Sequence, residues 1–365
     1  MKARLNRQEL AEALAAAGSV APTRTPKPIL QGVLIDAQAD CCLLAATDLE
    51  TGIRITVSQV EVDKKGQIVV PVDKLGQIVR ESQDDVLEIE LDDTVCHVRG
   101  EGAHFQIYSH DPADFPPVAE LDGEPDFGVE AGLLRKMAEW TVFAAARENT
   151  RYAINGVLWE KQKDKLTLVA TDGRRLACAR GAVQGGADRN MESIVPVKGM
   201  SLFQRVIHDG DSAVGVKLGG NQLVVKTSRA TISTGLVEGQ FPNYHDVIPK
   251  DAKQHVKLKT DALYSAVKRA ALLTNEESKG VRLSFTEDTL TLSSRAPSQG
   301  EATITVPIDF KGTPLDIGFN PHFLLEALRV VAEDEVTFDL KEPNKPGLLK
   351  TSPDFLYVVM PVSLS

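Results

Sequence analysis

The sequence predicts an α+β fold made of three tandem copies of one unit, each with two helices against antiparallel sheet. Three observations carry this. Landmarks recur in one register: Gly32-Val33, Gly156-Val157 and Gly280-Val281 are spaced by 124 residues both times, and Ala46-Thr47-Asp48 returns after 124 residues as Ala170-Thr171-Asp172. Val70-Pro71 returns as Val195-Pro196, and Asp114-Phe115-Pro116 is echoed by Gln240-Phe241-Pro242. Each copy shows the same succession of helical and alternating patterns. The chain of 365 residues also has the length of two or three domains, and a period of about 120 residues is itself of domain size. The copies are expected at 1–122, 127–249 and 253–365.

The first copy opens on an amphipathic helix. Asn6 is its N-cap, Glu9 stands three residues on in the capping-box position, and Leu10, Ala13, Leu14 and Ala17 share a face. A second helix follows at Leu75, Ile78 and Val79, then a strand where Leu87, Ile89 and Leu91 alternate with Glu88 and Glu90. In the second copy the helices fall at Leu134, Met137, Ala138 and Thr141, and at Leu202, Phe203 and Val206. Gly219-Gly220-Asn221 reads there as a hairpin turn. The third copy begins with a strand, Val256 and Leu258 alternating with Lys257 and Lys259. Its first helix carries Leu263, Ala266, Val267 and Ala270 behind Thr260 as cap. Asn320 as N-cap and Pro321 in the first turn introduce its second helix at Phe323, Leu324 and Leu328. Linkers at Pro116 to Asp126 and Pro249 to Ala252 separate the copies.

Composition narrows the function classes. With 42% hydrophobic and 25% charged residues the chain is an ordinary globular protein, neither disordered nor collagen-like. No run approaches the ~18 apolar residues of a membrane span, and the first residues lack a signal peptide's apolar stretch, so a cytoplasmic protein is expected. Cys41, Cys42, Cys96 and Cys178 form no CxxC pair; Cys41 and Cys42 are adjacent and would point to opposite faces of a strand. Reduced, packed thiols are expected. The seven histidines are scattered without metal-ligand spacing. There is no GxxxxGK(S/T) loop, no GxGxxG after a strand, no HExxH and no GxSxG, so no metal, cofactor or catalytic residue is expected. Gly185-Gly186 reads as a turn. Asp111 and Asp114 could pair as catalytic carboxylates or sit in a solvated Pro-rich turn. Thr171-Asp172, echoed at Thr47-Asp48, reads as a turn repeated with the fold.

The net charge of −10 ordinarily counts against nucleic acid. Yet Arg7, Arg24, Lys74, Arg80, Arg135, Lys136, Arg147, Lys198, Arg205, Lys268, Arg269 and Arg329 fall on the predicted helices and the loops beside them, while strands and linkers hold most of the acids. Such segregation lets an acidic protein present a positive surface. Aromatic residues are only 5%, which disfavours a stacking platform for single strands and leaves sequence-independent contact with duplex phosphates. Two other classes stay open on these residues: a monomeric protein-interaction scaffold, and a hydrolase or transferase working through Asp111 and Asp114.

Several segments resemble the bacterial sliding-clamp family, the beta subunits of DNA polymerase III. Ala170 to Ala177 resembles ATDGHRLA, Glu238 to Tyr244 resembles EGRFPDY, and Arg151 to Gly156 resembles RYYLNG. Asn275 to Leu283 resembles NExxxGVRL and Tyr357 to Val362 resembles YVVMPM; the similarity is collinear over the whole chain. The resemblance implies three DNA-clamp domains and a head-to-tail homodimer closing into a pseudo-sixfold ring. Helices would line a hole around duplex DNA, and a DNA polymerase would be tethered to its template. It implies duplex-facing residues at Arg24, Lys74, Arg80, Tyr152, Lys198 and Arg205. A cleft for short peptides of the polymerase III alpha subunit, the clamp loader, other polymerases and repair proteins is implied at Ile154, Thr171, Gly173, Arg174, Arg175, Leu176, Pro242, Val247, Val358, Met360, Pro361 and Val362. That slot would be apolar, with Met360 as an adaptable wall and basic residues at its rim. The dimer seam is implied at Phe105 and Ile107 against Leu272 and Leu273. The chain ends Ser363-Leu364-Ser365, where the family commonly ends in Arg-Leu.

Overall fold

The computed structural model describes residues 1–147, 153–186, 190–207, 213–274, 280–297 and 299–363. Six α-helices lie among them: α1 (Arg7–Val20), α2 (Val72–Glu81), α3 (Ala131–Val142), α4 (Val197–Val206), α5 (Thr260–Ala270) and α6 (Pro321–Arg329). Two compact units form. One comprises Met1–Arg135, Val183–Arg189 and Lys198–Leu236, the other Lys136–Ala182, Asn190–Val197 and Val237–Ser365.

The first unit holds two antiparallel sheets. The five-stranded one runs in the order Val60–Lys64, Lys2–Asn6, Val86–Asp92, Val95–Gly100, Ala103–Tyr108. Its predicted alternation is observed: Leu87 and Ile89 are buried, while Glu88 and Glu90 face away and join a ladder of charges. Arg4 pairs with Glu61 at 2.9 Å, Lys2 with Glu88 at 3.3 Å, and Arg99 with Glu88 at 3.0 Å and Glu90 at 2.5 Å. The eight-stranded sheet joins two copies. Ala230–Gly235 of the second pairs with Thr51–Val57 of the first, setting Ile232 opposite Ile53. Neighbouring copies thus share one sheet. The pairing removes two open strand edges, whose unpaired N–H and C=O groups are a liability in solution. The second unit repeats the arrangement: Phe355–Val359 of the third copy pairs with Arg175–Ala182 of the second in an eight-stranded sheet. A four-stranded sheet there ends on Gly300–Pro307.

The helices bury most of the residues their spacing marks; Ile78 and Phe323 are half-buried. Leu10, Ala13, Leu14 and Ala17 of α1 are buried, with α1 against α2 and against strands Cys42–Thr47 and Thr51–Val57. Leu263, Ala266, Val267 and Ala270 of α5 are buried, with α5 against α6 and Gly300–Pro307. Asn6 caps α1 by accepting the Glu9 N–H at 3.0 Å, and Asn320 caps α6 by accepting the His322 N–H at 3.0 Å. The capping box is only half built, because the Glu9 carboxylate accepts the N–H groups of Ser58 and Gln59 at 2.9 and 2.8 Å. Thr260 is the first residue of α5 and does not cap it; its hydroxyl donates to the Glu333 carbonyl at 2.5 Å. The turns at Gly185-Gly186 and Gly219-Gly220-Asn221 form as expected. Gly186 is at φ 82°, and an added Cβ would lie 1.9 Å from the Asp126 carbonyl oxygen, so a side chain is excluded there.

Candidate functional site

The residues expected to form a peptide cleft all lie in the second unit, several of them on one turn. Strand Lys165–Thr171 returns as Arg175–Ala182, and between them the Thr171 hydroxyl donates to the Arg175 carbonyl at 2.6 Å and accepts the Gly173 N–H at 3.1 Å. Asp172 Oδ1 accepts the N–H groups of Arg174 and Arg175 at 2.9 and 3.1 Å. Gly173 sits at φ 85°, a conformation that glycine adopts without strain. The third copy reaches this turn through its C-terminal segment. Met360 donates its N–H to the Arg174 carbonyl at 2.9 Å, and Val362 donates to Gly318 at 2.9 Å.

Beneath the turn lies an apolar floor. Ile154, Leu176 and Val358 are buried in one cluster with Ala153, Leu158, Phe241, Tyr244, Leu348 and Leu356. Tyr244 donates its hydroxyl to Glu160 at 2.7 Å; burial first, then that acceptor, push its pKa well above the ordinary phenol value. Thr171 is buried as the pivot of the turn. Met360 is 38% exposed and Val247 43% exposed; Gly173 and Arg174 are exposed, and Pro242 and Pro361 are half-buried. The structure therefore buries Ile154, Leu176 and Val358 in one floor and leaves Gly173, Arg174, Val247 and Met360 on the surface.

Arg175 is the exception to the basic rim. It is 7% exposed, stacked on the ring of Phe323 at 4.5 Å and of Phe143 at 5.5 Å. Its guanidinium donates to Asp172 at 3.0 Å, to the Phe143 carbonyl at 2.7 Å, and to Glu326 of α6. Burial works against its charge, but Tyr357, Glu326 and Asp172 hold its pKa above the ordinary arginine value. Arg175 thus fastens the turn to Phe143, just after α3, and to α6. Its partner Glu326 is 151 residues away, and no local pattern marks it.

In the first unit, Arg80 of α2 and Arg205 of α4 line one cavity of about 500 Å³ with Ser19, Thr23, Gln31 and His110. Arg24 is exposed in the loop that supplies Pro22 and Thr23 to the same cavity. Small residues Ala11, Ala15, Gly18 and Gly76 leave this face open. Lys74 is exposed and 3.8 Å from Asp73. Lys198 is engaged within the protein, donating to the Asp48 carboxylate and to the Val20 carbonyl at 3.1 Å. Tyr152 lies outside the described residues.

The residues expected at a dimer seam occupy a sheet edge and a turn. Phe105, 40% exposed, and Ile107, 9% exposed, lie on the edge strand Ala103–Tyr108, beside a Tyr108 that is 84% exposed and that the sequence reading missed. Leu272, 74% exposed, and half-buried Leu273 lie in the 3₁₀ turn Ala271–Leu273 after α5. The carboxylate pair does not form a catalytic centre: Asp111 Oδ1 accepts the Ala113 N–H at 2.9 Å and caps the short turn Pro112–Asp114. Among the described residues no cluster of three or more His, Cys, Asp or Glu could hold a metal ion, and no helix is long and apolar enough to cross a membrane.

Three tandem α+β copies that share sheets, with a groove carrying Arg80 and Arg205 in the first unit, define a protein of clamp architecture. Comparison with known proteins gives the family. The models of the DNA polymerase III beta subunit match over 1–119 for the N-terminal domain, 128–243 for the central domain and 245–363 for the C-terminal domain. The beta sliding clamp of Pseudomonas putida is 34% identical over 364 residues, covering 99% of each chain, and that of Escherichia coli K12 is 30% identical over 367 residues, covering 100% of each. Among solved structures, the DNA polymerase III beta subunit of Pseudomonas aeruginosa aligns over 100% of both chains at TM-score 0.90 and 32% identity. A griselimycin-bound clamp of that organism aligns over the same span at TM-score 0.93 and 32% identity. The chain belongs to the DNA polymerase III beta subunit family, the bacterial sliding clamps, and is a non-catalytic processivity clamp.

Proposed function

We propose that two copies of this chain join head to tail into a closed ring that encircles duplex DNA. The ring slides along the duplex and holds DNA polymerase III on its template. The observation that carries this reading is the threefold repeat: three copies in each of two chains give six units, and two helices from each line the hole. Arg24, Arg80 and Arg205 reach phosphates from the groove beside α1 and α2. Lys74 adds an exposed charge and Tyr152 completes the duplex-facing set, while Lys198 is committed to Asp48. Phosphate contacts fix no base sequence, so the ring moves freely along the helix. Because closure and not affinity prevents escape, a protein of net charge −10 can serve.

The cleft around Met360 takes short apolar peptides from the polymerase III alpha subunit, the clamp loader, other polymerases and repair proteins. Met360 is the adaptable wall, and Arg174 supplies a positive rim. Arg175 positions the turn without touching the peptide. A clamp of Pseudomonas aeruginosa that binds griselimycin supports a ligand groove in this family. The protein acts in the cytoplasm, at the nucleoid.

At the seam, Phe105 and Ile107 of one protomer meet Leu272 and Leu273 of its partner. Glu81, Asp84, Asp85 and Glu101 border the groove beside Phe105, while Lys268 and Arg269 are exposed just ahead of Leu272, so the two surfaces are complementary in charge. Changing Leu272 and Leu273 together to alanine removes burial worth ~1.5–3 kcal/mol for each. Sedimentation at low micromolar concentration is expected to show a dimer for the parent and a monomer for the variant. A variant that remains dimeric contradicts the seam.

A further inference from the structure

We propose that the first unit carries a second peptide-docking groove, built on the same turn as the cleft of the second unit. It selects a short peptide with an apolar anchor flanked by lysine or arginine. The inference rests on the reading of the Met360 cleft as a peptide site, and it goes beyond it by assigning a separate site with its own ligand chemistry.

The framework is repeated bond for bond. The Thr47 hydroxyl donates to the Thr51 carbonyl at 2.9 Å and accepts the Leu49 N–H at 2.9 Å. Asp48 Oδ1 accepts the N–H groups of Glu50 and Thr51 at 3.0 and 2.6 Å. Gly235 donates its N–H to the Glu50 carbonyl at 2.8 Å, as Met360 does to Arg174. Exposure along 47–52 follows that along 171–176: buried, half-buried, exposed, exposed, buried, buried. Each turn is also tied to a helix by an ion pair at a different position, Asp48 to Lys198 of α4 here and Arg175 to Glu326 of α6 there.

Two differences give this copy its own chemistry. Where the second unit has Gly173, the first has Leu49 at φ 80°, a strained backbone for leucine, with the side chain 57% exposed. Strain held at an exposed apolar residue is a mark of a functional surface. Where the second unit has Arg174, the first has Glu50, whose carboxylate has no ion-pair partner among the described residues. The nearby acids are already met, Asp48 by Lys198 and Glu120 by Arg54 at 2.5 Å. Leu49, Glu50, Pro117, Val118, Ala119 and Gln222 line a groove of about 360 Å³, apolar on one side and negative at its rim. An apolar side chain seated between Leu49 and Val118, with a cation against Glu50, satisfies both features.

The test is fluorescence anisotropy at about 50 mM salt, where charge steering is little screened. The probe is a fluorescein-labelled hexapeptide with a leucine–phenylalanine pair between two lysines on each side; its counterpart has glutamates in place of the lysines. The lysine peptide is expected to bind saturably. Leu49→Gly should weaken it about fivefold and Glu50→Lys about tenfold, the latter gaining affinity for the glutamate peptide. Leu49→Gly should also raise the melting temperature, a gain in stability beside a loss in binding that a merely structural residue does not show. Deleting Met360 to Ser365 should leave lysine-peptide binding intact. Parent-like binding in both variants overturns the proposal, and so does loss of binding on the deletion, which puts the probe in the Met360 cleft. A polymerase peptide that binds the parent and the deleted chain alike overturns the Met360 cleft while leaving this groove standing.

Discussion

Arg175→Ala removes a guanidinium that is 7% exposed and holds three elements at once. Taking one partner from a fully buried ion pair costs about 3–5 kcal/mol. Here Asp172 and Glu326 are 20% and 32% exposed and regain water, which lowers that part to about 2 kcal/mol. Loss of the contacts to Phe143 and Phe323 adds about 1 kcal/mol. A total near 3 kcal/mol, at a slope of about 3 kcal/mol per molar, moves the urea midpoint down by about 1 M. Both tryptophans, Trp140 and Trp159, belong to the second unit, so their fluorescence follows the unit in question. Arg175→Lys is expected to recover less than half of the loss, because an ammonium cannot reproduce the planar fork or the ring stacking. A fluorescence midpoint unchanged in Arg175→Ala, with an unchanged slope, refutes the reasoning and returns Arg175 to the rim.

Two further outcomes follow from the surroundings of titrating groups. Burial pushes the Cys42 and Cys96 thiols up to about 12 and Cys178 up to about 11, so thiol titration of the native protein at pH 8 should report Cys41 alone, and all four cysteines after denaturation; rapid reaction of a second thiol contradicts that packing. On the outer face of the five-stranded sheet, burial tends to raise Glu88 but its bonds to Arg99 and Lys2 outweigh it, and the Arg99 bond lowers Glu90. Folded-state pKa values below the unfolded ones stabilise the protein above the ordinary glutamate range, and the contribution is lost as pH falls through the folded values. Arg99→Ala should therefore raise both pKa values in an NMR titration and lower stability at neutral pH, with the deficit closing in acid; an equal deficit at both pH values contradicts the linkage.

The repeat was legible because its landmarks are structural. Thr47-Asp48 and Thr171-Asp172 each close a turn with the same hydrogen bonds, so the residues recur wherever the turn does. Helix faces and the Asn6 and Asn320 caps were legible for the same reason, since their physics is local. What distant partners decide was hidden. Glu9 follows Asn6 at capping-box spacing, but Ser58 and Gln59 claim its carboxylate. Arg175 and Lys198 look like free cations until Glu326 and Asp48 arrive from other copies. The sharing of sheets between copies also has no local signature, because each strand carries the same alternation whichever neighbour it pairs with. Leu49 was equally silent: a leucine in a turn tells nothing of its φ until the backbone is seen.

Topological linkage is the central claim, and retention on DNA tests it most directly. The protein would be loaded onto a nicked circular duplex by a matched clamp loader with ATP, washed in high salt, and measured before and after the circle is cut. Phosphate contacts alone fade steeply with salt on either template. The ring account predicts retention through the salt wash on the circle and loss once it is linearised. Equal retention on closed and cut DNA contradicts it.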